Sequence, residues 1–262
     1  MNIVRKLQPE GRYFMDKLYL YETHLHTKEA SACSQNTAEE LVQAYKAAGY
    51  TGIMVTDHFF RGNCAIPREM PWEDWVEAFC KGYENAKAAG DNIGLQVFFG
   101  WEESYQGSDF LIYGLDKEWM KQHPELREIS VEEQYELVHA AGGMVIQAHP
   151  YREAWYIPEV RLYPDYVDGV EIFNASHYGK KVREEDGRTM YDVQAAEYAE
   201  KYNLPCTGGS DIHSVNLLYG GMAFERPLTD VKDYMKAVLH REGTPMDYFE
   251  IRKKKEQENE AE

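Results

Sequence analysis

Gly52-Ile53-Met54-Val55-Thr56-Asp57-His58 is an apolar, β-prone run that ends abruptly in a carboxylate and an imidazole. Its first five residues read as a buried strand, since they open at a glycine and are too few for a helix. The same punctuation recurs along the chain. His24 and His26 follow Lys17-Leu18-Tyr19-Leu20-Tyr21, Glu102 follows Leu95-Gln96-Val97-Phe98-Phe99, and His149 follows Met144-Val145-Ile146-Gln147-Ala148. Asp211 and His213 follow Cys206-Thr207-Gly208-Gly209-Ser210. Five of the nine histidines thus stand at or beside the ends of strand-like runs. A parallel barrel gathers its strand ends on one face, so residues roughly 190 positions apart can share one mouth there.

The segments between these runs read as helices. Thr37-Ala38-Glu39-Glu40 is a capping-box pattern, opening a helix that carries Leu41, Tyr45 and Ala48 on one face until Gly49. Pro71 is placed to start a helix to Gly90 with Trp75, Phe79 and Ala86 directed inward. Ser130-Val131-Glu132-Glu133 opens another that stops at Gly142-Gly143, an alanine-rich helix spans 189–202, and Thr229 caps a last one to His240. Strands are expected over 17–24, 52–57, 95–100, 109–114, 144–148, 168–173 and 206–210, with a short one at 222–225. A short polar turn containing Gly107 separates the third from the fourth. This alternation predicts an α/β fold, a distorted TIM-like (β/α)7 barrel forming a single domain over residues 1–245. Residues 246–262, with Arg252-Lys253-Lys254-Lys255 and then glutamates, read as a charged tail that frays. A doubly wound open sheet competes, but no Gly-x-Gly-x-x-Gly follows the first strand.

The chain has 262 residues and a formal net charge of -17, from 45 acidic and 28 basic side chains. Such a surface repels phosphate backbones, so no stable nucleic-acid binding is expected. The four cysteines show no Cys-x-x-Cys spacing, which argues against a zinc ribbon or a disulfide scaffold. The first twenty residues lack the apolar core of a signal peptide and no run approaches transmembrane length, so the cytoplasm is the expected setting and no membrane partner is. Oligomeric state is not legible.

On an extended strand His24 and His26 flank Leu25 and point the same way, as two ligands of one ion must. Asp57 either orients a neighbouring metal-binding imidazole such as His58 or caps the loop that follows. Glu102 and Glu103 face opposite sides, so one enters the pocket (Glu102 is favoured) and the other is expected in solvent. His149, before Pro150, is a ligand or a core histidine bonded to a carbonyl. Asp211-Ile212-His213 repeats the alternation of the first pair. Imidazoles and carboxylates in this combination suit zinc, manganese or iron.

His24-Leu25-His26-Thr27, Thr56-Asp57-His58, Gly100-Trp101-Glu102, Ala148-His149-Pro150 and Gly209-Ser210-Asp211-Ile212-His213, in this order, resemble the motifs of the PHP (polymerase and histidinol phosphatase) family over residues 19 to 225. The resemblance implies a distorted seven-stranded barrel, two or three divalent ions, and hydrolysis of phosphate esters. It gives His24, His26, Glu102 and Asp211 to one ion, Glu102 and His149 to a second, and His58 with His213 to a third. Two departures stand out. Three-metal members carry a histidine six positions after the His-x-His motif, where this chain has Ala32 followed by Cys33 and Ser34. Many members also open the strand after the glutamate with histidine; here Asp109 stands, a replacement ligand or a turn residue.

The function expected is therefore a metal-dependent phosphoesterase acting on a small phosphorylated molecule, with a hydroxide bridging the ions as nucleophile. Arg152 is a candidate phosphate clamp, or else a surface arginine paired with Glu153 or Glu159. His177 is a candidate proton donor, and Glu171 and Asn174 candidate lining of the cleft. His123, His139 and His240 are expected to be structural. Competing readings are a catalytically silent metal-binding module, a proofreading-type exonuclease, and a metal-dependent amide or ring hydrolase. The last commonly needs a modified lysine as bridging ligand, and no strand end offers one.

Overall fold

The computed structural model describes residues 18–215 and 219–252. The strands are β1 (Tyr19–Leu25), β2 (Gly52–Val55), β3 (Gln96–Tyr105), β4 (Ser108–Tyr113), β5 (Met144–Ala148), β6 (Gly169–Asn174), β7 (Cys206–Gly209), β8 (Met222–Phe224) and β9 (Thr244–Pro245). They form one sheet in the order β7-β6-β5-β4-β3-β2-β1-β8-β9. Strand β1 is shared between two neighbours beyond β2. Its start pairs antiparallel with β8, while its end forms a parallel bridge from Leu25 to Ile212, just past β7. Thr23 Oγ1 also donates to the Gly208 carbonyl at 2.6 Å. The seven strands β1–β7 thereby close on themselves as a distorted TIM-like barrel, with β8 and β9 appended at the side.

The barrel is not wholly parallel. β4 runs antiparallel to both β3 and β5. The cause is the turn: Tyr105 pairs with Ser108, leaving only Gln106 and Gly107 between strands, with φ of 53° and 91°. Two residues in the left-handed region make a tight hairpin, whereas a parallel connection needs a dozen residues or more.

The helices are α1 (Ala38–Ala47), α2 (Trp72–Phe79), α3 (Lys81–Ile93), α4 (Lys117–Gln122), α5 (Val131–Ala140), α6 (Met190–Lys201) and α7 (Val231–Leu239). Both capping boxes are made, at Thr37 with Glu40 and at Ser130 with Glu133. The single helix expected over 71–90 is instead two, divided at Cys80. The second passes Gly90 and stops at Gly94, whose φ of 70° supplies the left-handed cap. Gly90 serves packing instead: a Cβ there would lie 2.6 Å from the Leu95 carbonyl oxygen. The last helix is capped by Asp230, not Thr229, because the Asp230 carboxylate accepts from Asp233 N at 2.8 Å. Helix α4 and strand β9 had no expectation; both are short and lack a sequence period.

Phe59 packs edge-on against Trp75 and Phe79, which stack on each other, and lies tilted over Trp101 of β3, making a buried aromatic layer. Residues 246–248, expected to belong to the charged tail, are held against the barrel. Met246 N donates to the Gly221 carbonyl, Tyr248 is buried, and Arg188 binds the Asp247 carboxylate through both terminal nitrogens. Residues 253–262 lie outside the described residues. No helix among the described residues is long and apolar enough to cross a membrane.

Candidate metal centre

The barrel brings the punctuating residues of separate strands to one mouth. His24 and His26 leave the end of β1 on one side, while Leu25 between them is buried against Val42 and Ile53 on the other. Glu102 lies inside β3, which continues past the expected end at 100 to Tyr105, so it is held by strand pairing opposite Leu111. Its Oε1 is 3.3 Å from His24 Nε2 and 3.2 Å from His149 Nε2. Its Oε2 is 2.5 Å from His58 Nδ1 and 3.7 Å from His26 Nε2. Asp211 Oδ1 is 3.1 Å from His26 Nε2, and Asp211 Oδ2 is 3.9 Å from His149 Nε2.

These side chains form four overlapping groups whose nitrogen and oxygen atoms lie within 4.8 Å of one another: His24, His26 and Glu102; His24, His149 and Asp211; Glu102, Asp109 and His149; and His26, His58 and His213. Ligand bonds of about 2.1 Å put neighbouring donors about 3.0–3.4 Å apart around one ion, close to most of these separations. The buried atoms His24 Nε2, His58 Nδ1 and Glu102 Oε2 have no hydrogen-bond partner despite their proximity. Nitrogen and oxygen that approach without hydrogen-bond geometry direct lone pairs at a common point, which a cation satisfies and a proton does not. The donor set therefore fits divalent ions.

Backbone strain marks the same place. His149 and Asp211 have φ of 28° and 50°, a region costly for residues with a Cβ. Each turns sharply off a strand end, and this aims its side chain across the mouth.

The electrostatics are mutual. Burial alone would raise the carboxyls of Glu102 and Asp211, but the surrounding imidazoles hold both well below the usual carboxylate range. Burial would lower His24, yet Glu171, Glu102 and Asp211 together push it well above an ordinary histidine. Burial wins at His26, where His58 adds repulsion, and that ring is held neutral.

Several expected residues do other work. Asp57 does not reach a ligand imidazole. It is buried and accepts from Thr27 N (2.6 Å), Thr27 Oγ1 (2.7 Å) and Ser31 Oγ (2.7 Å), pinning the loop that follows His26. Glu103 is not in solvent; it is fully buried with Oε1 3.2 Å from Arg61 Nε, because Arg61 folds over that face and anchors on the Ile129 carbonyl. Arg152 pairs with neither Glu153 nor Glu159 but with Asp109, at 3.0 Å, on the rim of the centre. Asp109 itself is 3.9 Å from His149 Nε2. His177 is buried, its Nδ1 2.8 Å from Asp192 and its ring 6.2 Å from that of His149.

Three contributors, Glu22, Asp192 and Tyr248, escape sequence reasoning, and a fourth, Glu171, expected to line the cleft, has another role. Glu171 Oε1 takes His24 Nδ1 at 2.9 Å, so it supports a ligand and does not line a cleft. Buried Glu22 accepts from the backbone N–H groups of Thr23, His24 and Ser210, tying the end of β1 to that of β7. Asp192 and Tyr248 stand behind His177, the tyrosine hydroxyl donating to Asp192 Oδ2 at 2.7 Å. None has a local motif; only Glu22, two residues before His24 and on its face of the strand, carried a usable signal.

The solved structures that resemble this one have low sequence identity. A two-domain protein from Bacteroides vulgatus containing a predicted PHP-like metal-dependent phosphoesterase aligns with a TM-score of 0.64 at 13% identity, over 87% of this chain and 64% of that one. The chain thus spans less than two thirds of that protein. PsfC from Pseudomonas syringae aligns with a TM-score of 0.54 at 16% identity, over 83% of this chain and 87% of that one. An amidohydrolase from Chromobacterium violaceum, solved with sulfate and no metal, aligns with a TM-score of 0.53 at 15% identity, over 86% and 97%. No curated protein matches the chain. The PHP domain model matches residues 22–203 and the PHP-associated model residues 193–242. With most of its length under the first of these, and with the motifs of that family meeting at one barrel mouth, the chain belongs to the PHP domain family.

Proposed function

We propose that this chain hydrolyses phosphate esters of small molecules at a centre of divalent metal ions. The observation that carries the reading is Glu102, whose two carboxylate oxygens face imidazoles on opposite sides: His24 and His149 at one oxygen, His26 and His58 at the other. A carboxylate so placed can bridge two ions. In this reading His24, His26, Glu102 and Asp211 hold one ion, Glu102, His149 and Asp109 a second, and His58 and His213 contact a third. Bound ions supply a water that ionises near neutral pH and positive charge beside the phosphoryl oxygens.

The remaining roles belong to the protein. Arg152 points its guanidinium at the rim from the Asp109 side, positioned to take two phosphoryl oxygens in a fork as charge builds on them. Asp192 holds Nδ1 of His177 and leaves Nε2 free to give a proton to the departing oxygen. Asp57 keeps the loop after β1 in place. Ions of zinc, manganese or iron all suit such ligands. The net charge of -17 disfavours a polynucleotide substrate, and the cytoplasm is the proposed setting.

The test is phosphate release from nitrophenyl phosphate and a panel of phosphorylated metabolites, with ion content measured on the same samples. Manganese- or zinc-dependent turnover is expected. Absence of turnover with ions bound favours the silent metal-binding module; release of amine from amides without phosphate release favours an amide hydrolase.

A further inference from the structure

We propose that Trp155 and Tyr156 form a stacking platform at the rim of the metal centre, which selects phosphate esters whose alcohol carries a planar aromatic ring. This choice of substrate rests on the hydrolysis proposed above and narrows it.

Trp155 and Tyr156 are the two central residues of a turn, closed by the Ile157 N–H donating to the Ala154 carbonyl at 2.9 Å. Glycine, asparagine, aspartate, proline and serine serve such positions best, so two aromatic side chains there answer to something other than the turn. Trp155 is 96% exposed and Tyr156 51%. The other four tryptophans are covered: Trp75 and Trp101 are buried, Trp72 and Trp119 half-buried. The Trp155 ring stands at 88° to that of Tyr156, with centroids 5.6 Å apart. The pair is therefore an open corner of two perpendicular aromatic faces.

The turn is fastened on both sides to the walls of the centre. Before it, Arg152 N donates to the His149 carbonyl at 3.0 Å, the Arg152 guanidinium holds Asp109 at 3.0 Å, and Glu153 pairs with Lys181. After it, Ile157 packs on Gly107 at the tip of the β3–β4 hairpin, its Cγ1 2.7 Å from where a Cβ would stand. Arg161 reaches Gln106 of the same tip at 3.1 Å. That hairpin carries Glu102 and Asp109. These contacts use the neighbours of the aromatic pair and engage neither ring.

The spacing suits one molecule that touches both places. The Arg152 guanidinium carbon lies 5.9 Å from the Tyr156 ring centroid. A phosphoryl group forked by Arg152 and a ring laid in the corner are then separated by the span of a sugar or a short alkyl chain. A flat π-surface gains from offset or edge-on contact with these rings, which a saturated ring of the same size cannot reproduce. Nucleosides and arylalkyl alcohols share that chemistry.

The experiment compares paired esters with closely matched leaving alkoxides on the metal-loaded chain. Adenosine 5′-phosphate is set against ribose 5-phosphate, and phenethyl phosphate against cyclohexylethyl phosphate. The aromatic member should show kcat/KM higher by about tenfold or more, and Trp155→Ala should cost it about 10–100-fold more than its match, the usual weight of a stacking contact. Trp155→Phe should recover part of the loss and Trp155→Leu little. An advantage shared by both pairs assigns aromatic alcohols in general, and one limited to adenosine 5′-phosphate assigns nucleosides. A binding arm needs neither turnover nor a variant. Trp155 is the one exposed tryptophan, so adenosine 5′-phosphate and phenethyl phosphate should shield it from acrylamide quenching where ribose 5-phosphate does not. Equal kcat/KM within both pairs, equal losses within the pairs in Trp155→Ala, or no selective shielding would each overturn the platform. If no ester releases phosphate while shielding stays selective, the hydrolase reading falls and the aromatic corner stands.

Discussion

Glu171 Oε1 lies 2.9 Å from His24 Nδ1, although 147 residues separate them. The other oxygen of the same carboxylate accepts from His149 N at 3.1 Å and Asn174 Nδ2 at 3.0 Å. One buried side chain thus fixes the ring of one ligand and the backbone of another, where His149 is strained. With Nδ1 of His24 held there, Nε2 is the ring nitrogen turned toward Glu102, where an ion in place of its proton would bind.

Glu171→Gln should therefore weaken ion binding about 10–100-fold, the usual cost of losing the partner that orients a metal-binding imidazole. Competition against a chelating indicator measures this. An unchanged affinity would mean that packing alone sets the His24 ring.

Glu103 offers a pH signature. Burial pushes its carboxyl up to about 7 from 4.5, against the pull of Arg61. A carboxyl raised in the folded state holds its proton more tightly there than in the unfolded chain. Its contribution to stability is then present below about 4.5 and lost as pH rises through about 7. Glu103→Gln stays neutral throughout. Urea unfolding of chelator-treated protein at pH 5 and pH 8 should show the variant gaining on the unmodified chain by up to about 3 kcal/mol. A pH-independent difference between the two would refute the shift.

How far the sequence reveals this molecule depends on the range of the interaction. The strand runs before His58 and His149, the capping boxes at Thr37 and Ser130, and the motif residues at the mouth are local patterns, and all were legible. The antiparallel β4 was half-written in the short turn at Gln106-Gly107, but a strand's direction follows from turn length and not from its own residues. The Glu103–Arg61 contact and the Glu171–His24 contact were not legible, because each joins distant segments through chain closure. Glu103 misled for a simple reason: alternation gives the face a side chain points to, not whether another loop covers that face.

Arg152 and Asp109 act as a pair across the rim. Arg152→Ala should lower kcat/KM for phosphate esters about 10²–10³-fold while bound metal stays constant, as expected for losing one donor to developing charge. Arg152→Lys should recover only part, since an ammonium cannot fork onto two oxygens. Steady-state kinetics with elemental analysis decide it. A change under threefold in Arg152→Ala would remove the arginine from the site.

His177, Asp192 and Tyr248 form a buried relay whose His177 ring lies 6.2 Å from that of His149, with Tyr248 contributed by the segment beyond β9. If His177 hands a proton to the leaving oxygen, the need for it scales with how poor that leaving group is. Alkyl phosphates expel a basic alkoxide, whereas nitrophenolate departs without help. His177→Asn should then slow alkyl phosphates about 10²-fold or more and nitrophenyl phosphate hardly at all. Asp192→Asn, which spares Nε2 but loosens its support, should move the same way by less. Burial lowers His177 from the usual 6.5, more than Asp192 restores. Its proton-carrying form is therefore depleted as pH rises from the acid side, so alkyl ester turnover should decline with pH more steeply than nitrophenyl ester turnover. Matched pH profiles on both substrates test this, and parallel profiles with equal losses in both variants would assign the relay to folding instead of proton delivery.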